Sequence, residues 1–281
     1  MVTIDADARP ATRILVKRHA LSVRITHWIN VLCLSFLILS GLQIFNAHPA
    51  LYWGQYGADA DTPFIAIEAV RDGDGLRGVT TIGPVSLTTT GVLGVSSYNG
   101  QERARAFPSW LTIPSYRDLG MGRYWHFFFA WLFAINGAVY LVYGFISGHF
   151  RRDLAPKLEE LKPAHIGHEI ITHARLDFPK GEAARRYNAL QKLAYLGVVV
   201  LLALMVLTGL TMSPGVNAIV PWLVDVFGGR QSARTIHFIC ATLIVAFIIV
   251  HLVMVLLSGV WNNLRSMVTG RYAIRLEGPR T

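Results

Sequence analysis

Residues Thr235–Val260 read TIHFICATLIVAFIIVHLVMVLLSGV. No Asp, Glu, Lys or Arg interrupts the stretch, and about 20 such residues suffice to cross the hydrocarbon core of a bilayer as a helix. Two of its members, His237 and His251, are out of character. An ionisable side chain at membrane depth is expensive and points to function. Their separation of fourteen residues corresponds to about 21 Å of helix rise and close to four full turns. Both imidazoles therefore leave the same face of one helix, near opposite sides of the bilayer.

Working outward, three further stretches have the length and apolarity of a span. They run from about Ile25 to Phe45, Tyr124 to Ser147 and Leu193 to Met212. Asn46 and Pro49 follow the first. The second follows Gly120-Met121-Gly122 and is closed by Gly148-His149-Phe150-Arg151-Arg152. Ser213-Pro214-Gly215 ends the third, and Trp261 closes the fourth at the interface, where aromatic rings favour the headgroup level. The first span is read as retained rather than as a cleaved leader: the segment before it is long, and no small-x-small site follows it.

Composition agrees with a membrane chain. Among 281 residues the hydrophobic share is 53% and the charged share 15%, against about 25% charged in an ordinary soluble domain. A disordered chain is excluded. The net charge of +9 would suit nucleic acid only on a basic soluble face, and here the basic residues flank apolar runs, so no nucleic-acid partner is expected. Cys33 and Cys240 lie inside apolar runs and form no CxxC or disulfide framework.

Lys and Arg set the orientation. The N-terminal arm holds Arg9, Arg13, Lys17, Arg18 and Arg24. The segment between spans two and three holds Arg151, Arg152, Lys157, Lys162, Arg175, Lys180, Arg185 and Arg186, and the tail adds Arg265, Arg271, Arg275 and Arg280. The segment 46–120 is poorer, and seven acidic residues offset its arginines. Both termini are expected in the cytoplasm of a multi-pass bacterial inner-membrane protein, with 46–120 as a long outer loop. Its turns are Asp72-Gly73-Asp74-Gly75, Gly83-Pro84 and Asn99-Gly100. Phe64–Ile67 and Val85–Thr89 could pair as short strands. Asp72 and Asp74 lack the remaining ligands of a calcium loop. No internal repeat is evident.

Two imidazoles on one face near opposite sides of the bilayer have the geometry for two stacked haems, each taking one ligand from this helix, and each iron then needs a second histidine at the same depth. Under this orientation His27 and His251 lie near the cytoplasmic side, and His126 and His237 near the outer side. The expected pairs are His27 with His251 on an inner haem and His126 with His237 on an outer one. Neutral imidazole suits iron, and helix bundles build such sites between facing helices. The third span carries no histidine and completes the bundle. Gly41, Gly137, Gly144 and Gly209 could leave a porphyrin room, although small residues also serve helix packing. Arg24, Arg123, Arg230 and Arg234 stand near the four histidines and could pair with haem propionates, or simply with lipid headgroups. His165, His168 and His173 lack a fourth ligand for a metal.

Arg24-x-x-His27-Trp28, a histidine early in span two and the fourteen-residue spacing in span four resemble the di-haem cytochrome b subunits of the bacterial cytochrome b561 and nickel–iron hydrogenase type. Formate dehydrogenase membrane subunits share the plan. Asn46-Ala47-His48-Pro49-Ala50-Leu51-Tyr52-Trp53-Gly54, Gly148-His149-Phe150-Arg151-Arg152-Asp153-Leu154 and Gly228-Gly229-Arg230-Gln231-Ser232-Ala233-Arg234-Thr235-Ile236-His237-Phe238 resemble the thiosulfate reductase cytochrome b subunit-like branch. That resemblance implies a soluble molybdopterin oxidoreductase as periplasmic partner. The long outer loop departs from the compact hydrogenase subunits.

The expectation is an all-α integral membrane four-helix bundle, a single domain over 1–281, with two b-type haems and a long irregular outer loop. It would pass electrons between the quinone pool and an outer oxidoreductase, as a subunit without bond chemistry of its own. A transporter or proton relay using buried histidines is the alternative, but the spans lack the acidic residues a relay favours. A quinol-dependent reductase acting alone would need a catalytic cluster in the outer loop, and none is evident. By resemblance to formate dehydrogenase subunits the quinone would sit near the cytoplasmic ends of the spans, where Asn188, Gln191 and His149 are candidates, with Asn30 one turn from His27.

Overall fold

The computed structural model describes residues 12–57, 61–176 and 188–276. Arg9, Lys180, Arg185, Arg186 and Arg280, used above for orientation, lie outside them. In chain order the elements are β1 (Thr12–Lys17), α1 (Leu21–Phe45), β2 (Ala50–Leu51), β3 (Ile65–Asp72), β4 (Gly75–Ile82), β5 (Val85–Thr88), β6 (Gly94–Tyr98), β7 (Gln101–Arg105), α2 (Leu119–Ile146), α3 (Pro163–Ala174), α4 (Ala189–Thr211), α5 (Pro214–Ile219), α6 (Trp222–Val226), α7 (Arg230–Leu257), α8 (Val260–Thr269) and β8 (Arg271–Leu276).

Helices α1, α2, α4 and α7 have the length and hydropathy of membrane spans. Large apolar side chains such as Trp131, Ile135, Val200, Ile249, Val250 and Leu256 are exposed along them. A surface of this kind is far too apolar for water and suits lipid tails. Two of the spans, α2 and α4, begin earlier than their apolar runs because polar residues cap them. Asp118 accepts from the Met121 amide at 2.9 Å, which starts α2 before Gly120. Asn188 and Gln191 cap α4 reciprocally, each side chain accepting from the other's amide. Gly259, at φ +107°, separates α7 from α8, so the expected span 235–260 ends at Leu257.

The chain divides into two compact units, each using parts of all four long helices. One unit comprises residues 29–137 and 201–245 and contains the β layer. Here the expectation of an all-α chain with an irregular loop is corrected. Strands β2-β3-β4-β5 form an antiparallel sheet, and β6-β7 form a separate hairpin. Three two-residue turns build it: Gly73-Asp74 between β3 and β4, Gly83-Pro84 between β4 and β5, and Asn99-Gly100 between β6 and β7. Asn99 and Gly100 both have positive φ, as a type I′ turn demands. The strands beginning at Ile65 and Val85 do not pair with each other; each pairs with β4 between them. The tight turn at Gly73 hands β3 its own partner first, and Asp72 faces Arg77 at 3.4 Å.

Two of the motifs quoted above interlock in this unit. The Gly54 carbonyl accepts from the Gln231 and Ser232 amides at the start of α7, and the Gly54 amide donates to Ser232 Oγ at 2.7 Å. Thr235 Oγ1 donates to the Tyr52 carbonyl at 2.6 Å. The two bonds to the Gly54 carbonyl satisfy amides that a helix N-terminus leaves open. A Cβ on Gly229 would run into the Gly54 backbone. The β layer is fastened to α1 by buried Arg105, which donates to Gln43 Oε1, Thr112 Oγ1 and the Ser115 carbonyl. Asn46 holds the Phe107 backbone at both its amide and its carbonyl.

The other unit comprises residues 12–28, 138–176, 188–200 and 246–276 among those described. The antiparallel ribbon β1–β8 pairs Thr12–Lys17 with Arg271–Leu276. Phe150 opens a single π-helical turn to Leu154, and its ring occupies the place a Cβ on Gly144 would take. Gly144 therefore makes room for Phe150 rather than for a porphyrin. Glu169 of α3 accepts from the Ala189 and Leu190 amides at the start of α4.

Candidate functional site

The unit containing the β layer brings His126 of α2 beside His237 of α7, with ring centroids 6.4 Å apart and planes inclined at 60°. The other unit brings His27 of α1 beside His251 of α7, at 6.4 Å and 64°. Two metal–nitrogen bonds of about 2 Å each, with half an imidazole on either side, add up to roughly that separation. Among the described residues no three His, Cys, Asp or Glu side chains gather as a protein-only metal site would need. Each pair therefore suits a metal whose remaining ligands come from elsewhere, as a porphyrin supplies them.

The rings of the first pair are held by hydroxyls. Ser40 Oγ donates to the Phe36 carbonyl at 2.6 Å and lies 3.0 Å from His126 Nδ1. Thr208 Oγ1 donates to the Leu204 carbonyl at 2.6 Å and lies 2.9 Å from His237 Nδ1. A hydroxyl has one proton. Once it is donated to the helix carbonyl, the oxygen accepts from Nδ1–H, which leaves the Nε2 lone pair for a metal. The next residue in each case is glycine. A Cβ on Gly41 would stand 3.3 Å from His126 Cε1, and one on Gly209 would stand 3.5 Å from His237 Cε1. These glycines make room for imidazoles. Nothing stands within 4 Å of a Cβ on Gly137.

The hydroxyl anchors were missed in the sequence, although a signal existed. Leu39-Ser40-Gly41-Leu42 and Leu207-Thr208-Gly209-Leu210 are a short repeat. Each lies on the membrane span preceding a 28-residue span, α2 or α7, whose eighth residue is the histidine. Span three thus takes a direct part in the site through Thr208.

The second pair is set differently. Phe247 stacks on His251 at 5.7 Å, and Trp28 meets His27 edge-on at 5.5 Å. Nearby His19 is kept neutral at physiological pH: burial first, then Arg18 and other cationic neighbours, push it down to about 4.

The four arginines have divergent surroundings. Arg24 donates to the Met267 and Val268 carbonyls at the end of α8. Arg234 donates to the His48 and Ala50 carbonyls. Arg123 lies over the Phe127 ring, and Arg230 stands at the N-terminus of α7 with its backbone amide on Gln55 Oε1. Of the quinone candidates, Asn188 and Gln191 spend side-chain oxygens on the α4 cap. His149 Nδ1 lies 2.7 Å from Asp153 Oδ2, with the Tyr140 and Tyr143 rings 6.3 and 6.1 Å away. Asn30 Oδ1 accepts from Asn136 Nδ2 at 2.7 Å, an interhelical bond.

Apolar helices that turn imidazoles toward one another in pairs define a class, the membrane cytochromes of the b type. More particularly, the chain belongs to the prokaryotic cytochrome b561 family, whose profile matches residues 18–270. The chain is 28% identical over 252 residues to a protein of Azospira oryzae described as a protein-methionine-sulfoxide reductase subunit, YedZ1. That alignment covers 88% of this chain and 93% of the relative. No solved structure matches the chain. It is an integral membrane protein of cytochrome b561-type electron transfer.

Proposed function

We propose that this chain is the di-haem cytochrome b subunit of an oxidoreductase complex and passes electrons between the quinone pool and a soluble partner on the outer face. The observation that carries this reading is the pair of matched imidazole couples, each with its centroids 6.4 Å apart. The haem, when bound, supplies a one-electron couple. The protein's part is to hold and orient it: His126 and His237 for one iron, His27 and His251 for the other. Ser40 and Thr208 fix the tautomer of the first two. Arg123 and Arg230 are the propionate partners best placed among the four arginines, because Arg24 and Arg234 are committed to backbone carbonyls.

The β layer provides the docking surface, with half-exposed Ile82, Val85 and Leu87 on its β4–β5 hairpin. The Azospira relative's description as a reductase subunit favours a partner that is itself an oxidoreductase, and the sequence resemblance favours a molybdopterin enzyme in the periplasm. Both termini lie in the cytoplasm, a reading the distribution of Lys and Arg supports. Quinone exchanges near the His27–His251 pair, with His149 as the proton-exchanging candidate, since the Asn188 and Gln191 side chains already serve as caps.

The test is difference spectroscopy of single variants. His126→Ala and His237→Ala remove one common spectral component, and His27→Ala and His251→Ala remove the other. Loss of a shared component in His27→Ala and His237→Ala would overturn the assignment.

A further inference from the structure

In the ribbon β1–β8, Lys17 stands directly opposite Arg271. Like charges facing each other across a strand pair are destabilising. Among the described residues of the two segments involved, 12–28 and 246–276, no Asp or Glu offsets them. Lys17 and Arg271 are both exposed. They line an open cleft of about 420 Å³ together with His19, Leu21, Arg24, Thr269 and Gly270.

The cleft sits where lipid must be. Leu21 and Arg24 belong to the first turn of the membrane span α1. Around it Leu15, Leu21, Ile25 and Trp28 expose apolar surface. Helix α8 exposes Trp261, Leu264 and Val268, a spacing of three and four that places them on one face, as an interfacial helix requires. Arg24 and Trp28 tie that helix to α1 through the Met267 and Val268 carbonyls. A basic recess with an apolar rim at the end of a span matches a phosphate group joined to acyl chains; a free phosphate would have no use for the rim.

We propose that this cleft binds the phosphodiester headgroup of an anionic phospholipid, with Lys17 and Arg271 as its principal cations. The bound phosphate relieves the repulsion across the ribbon and so stabilises the β1–β8 pairing at the membrane surface.

Thermal unfolding of the full-length protein in non-ionic detergent tests this, with phosphatidylglycerol, phosphatidylcholine or inorganic phosphate added. Phosphatidylglycerol raises the unfolding midpoint by roughly 2–4 °C, while phosphatidylcholine and inorganic phosphate leave it in place. Lys17→Gln combined with Arg271→Gln abolishes the response. Lys17→Glu, which places a carboxylate opposite Arg271, raises the midpoint without lipid and also abolishes the response; it decides the matter if the double variant does not fold. An equal rise with phosphatidylcholine would mean general solvation by lipid. An equal rise with inorganic phosphate would mean a free-anion site. Either result, no rise at all, or a full response in Lys17→Glu overturns the proposal.

Discussion

The two histidine pairs share a separation and differ in how they are held. His126 and His237 each lean on a hydroxyl that is already anchored to its own helix, and each lies over a glycine. His27 and His251 have an indole edge and a phenyl face beside them instead, and among the described residues no hydroxyl stands against them as Ser40 and Thr208 do. The same ring separation can thus rest on two kinds of support. A hydrogen bond to Nδ1 selects the tautomer and makes the ligand more basic, whereas ring packing restricts orientation alone.

The largest effect that would break this contrast is removal of the hydroxyls. Ser40→Ala and Thr208→Ala weaken haem retention at the His126–His237 pair by about 10–100-fold and leave the other pair untouched. Transfer of haem to an acceptor globin, followed separately for the two spectral components, measures this. Equal loss from both components would erase the distinction.

A smaller effect sharpens it. Gly41→Ala brings a methyl to 3.3 Å from the His126 ring, while Gly209→Ala brings one to 3.5 Å from His237. The first distance forces the ring to shift and the second is ordinary contact. Gly41→Ala therefore displaces the midpoint potential of that component, and Gly209→Ala leaves it nearly unchanged, as a redox titration of both variants would report.

The smallest effect belongs to the unit that holds the His27–His251 pair. Lys192 donates to both Glu160 oxygens, at 2.8 and 3.0 Å, and this bond holds the carboxyl below its usual range. A depressed carboxylate contributes stability that is whole above the unfolded value near 4.3 and is lost as pH falls through the lower folded value. Glu160 is partly exposed, so the contribution is below about 1 kcal/mol. Glu160→Gln flattens the acid limb of the unfolding midpoint against pH by that small amount and changes nothing at the other pair.

Much of this was legible in the sequence. Apolar length gave the four spans, and matching depth under the positive-inside rule paired the histidines that stand together in the structure. Other features were hidden for physical reasons. Ser40 and Thr208 resemble ordinary packing residues of a span, and only the setting they share, a leucine before and Gly-Leu after, sets them apart. Asn188-x-x-Gln191 has the spacing of a capping box, yet a polar group beside a span equally suggests a ligand contact. The turns of the β layer announced themselves through Gly and Asn, but the pairing depended on β4, which lies between the two strands read from the sequence. Gly259 lies inside an apolar run, so the break between α7 and α8 left no change in composition to read.

The account stands most directly on haem content. Pyridine haemochrome analysis of the purified full-length protein gives about two protohaems per chain, as two bis-histidine sites require. A reproducible value near one would leave one imidazole pair without its iron, and a value near zero would contradict the account entirely.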